Sequence, residues 1–253
     1  MSFIALCDYE NTIKMKDTKL SQENINMINE FLINNNLCIL SNASFLELEN
    51  DFKSINNKLD YFSFKDQKGK INNEIIYNII DPVIINKIIA TFNDTIYTLF
   101  YEDNNNGYIY NYQERLLPLY PKKNLIIDTN FTSHATKITA AIKIEAINEF
   151  EIFLNDNMLD YYIYAKDKNR ALFYISSSFS SKEKIVPYIK SIYSNKKTVG
   201  ISDSIADYDF LKACDYCYIM KNSDNLLKQK NLTQTKLSCE ELGCMKALLE
   251  LDL

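Results

Sequence analysis

Tryptophan is absent from this chain, histidine occurs once, and glycine and proline occur only four times each in 253 residues. Asparagine, isoleucine, lysine and tyrosine take up the space. We read that pattern as the codon usage of an A/T-rich genome, without functional content. Arginine is confined to Arg115 and Arg170, so lysine carries nearly all the positive charge. The lone histidine, His134 in "FTSHATK", reads as an exposed loop residue rather than a ligand or base. An excess of positive charge is also missing. The net charge of −5 argues against a general nucleic-acid binder, which would carry a basic face. No apolar run approaches the ~20 residues of a membrane span. The first residues lack the basic region of a signal peptide. The expectation is a cytoplasmic protein with no nucleic-acid or membrane partner, of unspecified oligomeric state, whose six cysteines are free thiols.

What is present is ordinary globular composition, 47% hydrophobic and 24% charged, in a chain long enough for one large domain or two modest ones. "FIALC" reads as a short buried strand that stops on acids. "SQENINMINEFLINNN" reads as a helix, with Ser21 as N-cap and Ile25, Ile28, Phe31 and Leu32 at helical spacing. "LCILSN" is a second strand and "ASFLELENDFKSINN" a second helix. This order predicts an α/β fold with a Rossmann-like parallel sheet. "DYFSFKDQKGKINNEIIYNI" reads as a hairpin turning at "DQKG" on Gly69. Asp81 and Pro82 then open a helix. The segment that follows is rich in strands: "TIYTLFYED", "GYIYNYQE", "KITAAIKIE", "DYYIYAKD" and "RALFYISSS", with one helix, "AINEFEIFLNDN". It reads as a separate α+β module inserted into the first. Beyond "SSSFSS" the α/β rhythm returns: "SKEKIVPYIKSIYSN" a helix, "KTVGIS" a strand, "SIADYDFLKAC" a helix, "DYCYIM" a strand, and "CEELGCMKALLELDL" a closing helix. The expected division is a core of residues 1–80 and 179–253 with an inserted unit of 81–178.

The chemistry gathers where strands end. In "FIALCDYENTI" an apolar run gives way to Asp8 and Glu10. Two acids so close repel, which is costly unless a metal ion, a lysine or both sit between them. "TVGISDSIADYDF" sets a further acid, Asp203, at a strand end, with Asp207 one helical turn on. Strands of one parallel sheet that end in acids place them at the carboxyl edge, where α/β sheets bind ligands. Asp8, Glu10, Asp203 and Asp207 would make an oxygen-rich site suited to Mg²⁺. Ser41 closes the strand "LCILSN", followed by Asn42, and Lys182 opens a helix. Lys182 is favoured over its neighbour Lys184. A nucleophilic acid, a second acid, a metal, a hydroxyl and a lysine are the parts of phosphoryl transfer through an aspartyl-phosphate. "CDYC" and "CEELGC" have zinc-like spacing, but no histidine is near and the cysteines read as small core residues.

These residues resemble the haloacid dehalogenase superfamily of phosphohydrolases, in particular its Cof-type branch, subclass IIB. The first family motif, D-x-D-x-T after a strand, is similar to "LCDYENT". The second is similar to "CILSN", the third to the lysine of "SSKEKIVPYI", and the fourth, G-D-x-x-N-D, to "SDSIAD". "LKACDYCYIMKNSDNLLK" and "CEELGCMKALLEL" resemble the branch's closing segments. The likeness covers both ends of the chain in order and is weak in the middle.

The resemblance implies a Mg²⁺-dependent phosphatase of a small phosphorylated metabolite such as a sugar phosphate. Asp8 would be the nucleophile and Glu10 the acid/base. Ser41, Asn42, Lys182 and Asn222 would hold the phosphoryl group or substrate. The metal would be bound by Asp8, the main chain of Glu10 and Asp203, with Asp207 in support. The inserted cap would close over the core and choose the substrate. Four positions depart from the pattern: Glu10 replaces Asp, Asn11 and Ser202 replace Gly, and Ala206 replaces Asn. They keep open a second expectation, a degenerate member that binds a phosphorylated ligand or partner with little turnover.

Overall fold

The computed structural model describes residues 3–55, 58–102, 106–113, 124–127, 132–179 and 181–251. The chain divides into two compact units, one of Met1–Tyr77 with Ser181–Leu253 and one of Asn78–Ser180.

In the first unit, β1 (Phe3–Cys7) leads to α1 (Gln22–Phe31), β2 (Asn36–Ser41), α2 (Phe45–Phe52) and β3 (Leu59–Ser63). The antiparallel strands β4 (Lys68–Ile71) and β5 (Glu74–Tyr77) follow. After the insertion come α5 (Lys182–Ile192), β12 (Lys197–Ser202), α6 (Tyr208–Ala213), β13 (Tyr216–Ile219), α7 (Asn225–Lys228), β14 (Thr233–Gln234) and α8 (Gly243–Glu250). The sheet order is β14-β13-β12-β1-β2-β3-β4-β5, parallel from β14 to β3. This is the mixed α/β, Rossmann-like architecture expected. β1 lies inside the sheet and is wholly buried, which explains its unbroken apolar sequence. The caps form as the sequence predicts: the Ser21 hydroxyl accepts from Asn24 N at 3.1 Å, and Asp81 caps the helix that Pro82 opens.

The second unit begins with α3 (Pro82–Phe92) and continues through β6 (Ile96–Glu102), β7 (Asn106–Tyr110), β8 (Asn124–Ile127), β9 (Lys137–Lys143), α4 (Ile147–Asp156), β10 (Asp160–Lys166) and β11 (Arg170–Ser176). Its sheet runs β10-β11-β9-β6-β7-β8, antiparallel except for the β7–β8 pair. α3 and α4 bury Ile85, Ile88, Phe92, Phe150 and Leu154 against Ile138, Ala140, Ile142 and Phe173 of the sheet.

Several expectations change. Gly69 is not the turn residue but sits inside β4, where a Cβ would lie 2.5 Å from the Phe62 ring. Gln67 takes the left-handed turn conformation instead, and Asn72 and Asn73 make a second turn that adds β5. The closing helix starts at Gly243, not near Cys239, because Leu242 is left-handed and Gly243 packs against the main chain of Leu237, 2.1 Å from where its Cβ would be. β8 and β14 carry too short a pattern to be predicted. Arg115 and residues 103–105, between β6 and β7, lie outside the described residues.

Candidate active site

The carboxyl edge of the first sheet gathers the motif residues. β1 and β12 pair in parallel with Cys7 opposite Ile201, and Asp8 N donates to Ile201 O at 3.0 Å. That register sets Asp8 beside the end of β12, where Ser202 and Asp203 follow. Beyond Asp8 the chain does not stay extended. Tyr9 turns into the core, and Asn11 is left-handed (φ 58°), a conformation that asparagine tolerates better than most residues. Asn11 N donates to Lys14 O at 2.7 Å and Ile13 N to Tyr9 O at 2.9 Å, closing the loop. Its far side is held by Lys14, which is buried and ion-paired with Glu47 (3.1 Å) and Asp51 (3.0 Å) of α2. Glu10 is half-buried, and its main chain bridges to Lys14.

Lys182, the first residue of α5, brings the segments together. Its ammonium donates to Asp8 Oδ1 at 2.5 Å and to Asp207 Oδ2 at 2.7 Å. The Thr12 hydroxyl lies 3.5 Å from Asp8 Oδ2 and 3.4 Å from Asp203 Oδ1, so it spans the two carboxylates from the other side. Asp207, in a 3-10 turn (Ile205–Asp207), also accepts from the Ser202 hydroxyl at 2.5 Å on the same Oδ2. Burial works against the Lys182 charge, but Asp8 and Asp207 outweigh it and hold the ammonium above its usual range. Burial raises the Asp8 carboxyl; Lys182 pulls it back and Asp207 pushes it up again, with a net rise. Asp203 is pushed up to about 6, first by burial and then by Asp8. Lys182 therefore sets one positive charge between the Asp8 and Asp207 carboxylates, while Asp8 and Asp203 repel each other on the Thr12 side.

The other expected residues fall as follows. Ser41 is buried at the end of β2, and its hydroxyl oxygen accepts from Ala43 N at 2.9 Å. Asn42 beside it is exposed. Asn222 uses both ends of its amide on the main chain: Nδ2 donates to Asn11 O and Oδ1 accepts from Cys239 N, each at 2.8 Å. The residue expected at the substrate thus ties the Asp8 loop to the segment before α8. Asp207, expected beside the metal, gives Oδ2 to Lys182 and Ser202. Among the described residues no group of three or more His, Cys, Asp or Glu side chains is arranged to hold a metal ion. Asp8 and Asp203 share the Thr12 hydroxyl, while Asp207 is engaged by Lys182 and Ser202.

The roles of Thr12, Ser202, Lys14 and Asp224 were missed. Asp224 accepts from Ile205 N at 2.6 Å and caps α7, holding the turn that carries Asp207. Only the N-cap pattern of "SDN" hinted at it. The six cysteines are free: Cys214 packs against Gly200, and Cys244 donates to Cys7 at 3.8 Å. His134 is exposed in the second unit, with Nε2 4.0 Å from Asp81.

Residues 5–248 match the haloacid dehalogenase-like hydrolases, and the chain belongs to that family. The fold agrees with solved structures across nearly the whole length. One from Thermotoga maritima has a TM-score of 0.60 at 14% identity, covering 100% of this chain and 98% of that one. A phosphatase of the haloalkanoate (HAD) superfamily from Bacteroides thetaiotaomicron has a TM-score of 0.57 at 13% identity, covering 98% and 94%. A HAD subclass IIB sugar phosphatase has a TM-score of 0.53 at 13% identity, covering 98% of both chains. No curated protein matches the chain. No helix among the described residues is long and apolar enough to cross a membrane.

Proposed function

We propose that the protein is a phosphoric monoester hydrolase of the Cof type that acts on a small phosphorylated metabolite through an aspartyl-phosphate, with Mg²⁺ as cofactor. The observation that carries this reading is the shared ammonium of Lys182, 2.5 Å from Asp8 and 2.7 Å from Asp207, with Asp203 on the opposite side of Asp8. The donor set fits a hard cation: two carboxylates converge with their repulsion unrelieved, and a carboxylate pair completed by a main-chain carbonyl and waters suits Mg²⁺ better than softer ions. Asp8, Asp203 and the carbonyl of Glu10 would hold it, with Asp207 in support. When bound, the ion supplies charge neutralisation for the incoming phosphate.

Asp8 attacks phosphorus through its carboxylate and the ester P–O bond breaks. Glu10 gives its proton to the departing alkoxide, then accepts one from the water that opens the acyl phosphate and regenerates the Asp8 carboxylate. Lys182 offers its ammonium to the transferring oxygens, so its charge passes from the Asp8 carboxylate to the phosphoryl group as Asp8 is phosphorylated. The Ser41 oxygen already accepts from Ala43 N, which leaves its proton to donate to a phosphoryl oxygen. Substrate choice belongs to the inserted unit, and a sugar phosphate is the leading candidate.

The second reading, a ligand-binding member with little turnover, is favoured by Glu10. Its extra methylene moves the acid/base by about 1.5 Å, and an ångström of misplacement costs on the order of a hundredfold. Hydrolysis of an aryl phosphate separates the two. The enzyme reading requires activity in the wild type that chelation removes, that added Mg²⁺ restores and that Asp8→Asn abolishes. Activity that appears only in Glu10→Asp establishes the second reading. Activity unchanged by Asp8→Asn removes the aspartyl-phosphate altogether.

A further inference from the structure

Ser202 is buried at the end of β12, where the family motif has glycine and so no side chain. Its hydroxyl donates to Asp207 Oδ2 at 2.5 Å, the oxygen that also takes the Lys182 ammonium at 2.7 Å. The hydroxyl oxygen lies 3.4 Å from Ser204 N, which anchors it to the turn that presents Asp207. Lys182 then continues to Asp8 at 2.5 Å. An unbroken line of donors and acceptors therefore runs from Ser202 through Asp207 and Lys182 to Asp8.

We infer that Ser202 is a positioning residue that fixes the Asp207 carboxylate so that Lys182 stays directed at Asp8 and the phosphoryl group it receives. This rests on the phosphatase reading above. The physical reason lies in what Asp207 would do without it. A carboxylate free to turn presents both oxygens to a nearby ammonium and draws it in. When Asp8 is phosphorylated its carboxylate charge gives way to that of the phosphoryl oxygens, and an Asp207 free to turn competes with those oxygens for the Lys182 ammonium. A hydroxyl on Oδ2 sets the carboxylate's orientation and satisfies part of its acceptor capacity. Lys182 therefore meets one oxygen of a fixed group. Alanine or glycine at this position removes the donor and releases the rotation. Cysteine keeps the side-chain size while offering only a weak donor.

The test uses the full-length protein and two variants, Ser202→Ala and Ser202→Cys, with two readouts. The first is steady-state hydrolysis of an aryl phosphate with Mg²⁺. Both variants are expected to lower kcat about tenfold with KM within about twofold, a part of the hundredfold that a full ångström of misplacement costs. The second is the ¹⁵N–¹H NMR signal of the Lys182 ammonium, assigned by its loss in Lys182→Met. It is expected to shift in both variants. A purely structural Ser202 would lower the melting temperature and leave kcat per folded molecule and the Lys182 signal unchanged, and that result overturns the inference. If Ser202→Ala does not fold, Ser202→Cys decides. If the wild type hydrolyses no phosphate ester, the functional reading fails, while the Lys182 signal still reports whether Ser202 positions it.

Discussion

Two aspartates of the same sheet, Asp60 buried and Asp8 partly so, make an instructive pair. Asp8 follows β1 at the carboxyl edge, and Asp60 lies near the start of β3, opposite Cys38 of β2. Burial raises the pKa of both. Their partners differ. Asp8 meets an ammonium that pulls its carboxyl down against burial, and two further carboxylates, Asp207 and Asp203, that repel it. Asp60 accepts from the Tyr193 hydroxyl at 2.5 Å and from Asn72 N at 2.8 Å, donors without charge, and its carboxyl is pushed up to about 6. Desolvation alone does not make a reactive acid; the charge set against it does.

Exchanging each carboxylate for an amide breaks the comparison most sharply. Asp8→Asn is expected to lower aryl-phosphate hydrolysis on the order of 10⁴-fold or more. Asp60→Asn is expected to keep the rate within about twofold. Equal losses would show that the two sites are not distinct in kind. Removing the charge between Asp8 and Asp207 comes next: Lys182→Met leaves two buried carboxylates unpaired and should cost about 3–5 kcal/mol in denaturant unfolding. A variant as stable as wild type would mean that those carboxylates are better hydrated than the buried ammonium implies. The third prediction sharpens the Asp60 side. Its folded pKa, about 6, exceeds the unfolded 3.8, so the folded state binds the proton more tightly. Its contribution to stability is greatest below pH ~4, falls as pH rises towards 6 and is flat above, a total on the order of 2–3 kcal/mol. Unfolding curves of wild type and Asp60→Asn between pH 4 and 7 should therefore diverge, with wild type losing ground as pH rises. The smallest effect belongs to Asn222→Ala, which frees Asn11 O and Cys239 N from their shared partner and should cost about 1 kcal/mol with a modest fall in kcat.

Much of the first unit was legible because its signals are local. Ser21 carries its cap in adjacent residues, and apolar runs that stop on Asp8, Ser41 and Asp203 mark strand ends without knowledge of the partners. Parallel order placed Asp8 and Asp203 at one edge, and Lys182 was placed beside them by its position in the family motif. What stayed hidden depends on residues distant in sequence. Nothing in "LDYFS" shows that Asp60 is buried, since Tyr193 and Asn72 supply the reason. Lys14 reads as a surface lysine in "TIKMKD" until α2 brings Glu47 and Asp51 beside it. The motif position of Asn222 said nothing of its main-chain partners, Asn11 O and Cys239 N, which the loop geometry supplies. Gly69 looked like a turn because turn propensity is read locally, but the approach of Phe62 decides its place.

β1 hydrogen-bonds to a strand, β12, that the ribosome produces roughly 190 residues later, at about 5–20 residues per second. The Cys7 thiol then receives a hydrogen bond from Cys244, almost at the chain's end. For on the order of ten to forty seconds the nascent first strand must keep an apolar edge open, while residues 78–180 already form a contiguous unit. Co-translational folding should thus begin with residues 78–180, and the strand that leads to Asp8 should be among the last of the described elements to become protected from hydrogen exchange.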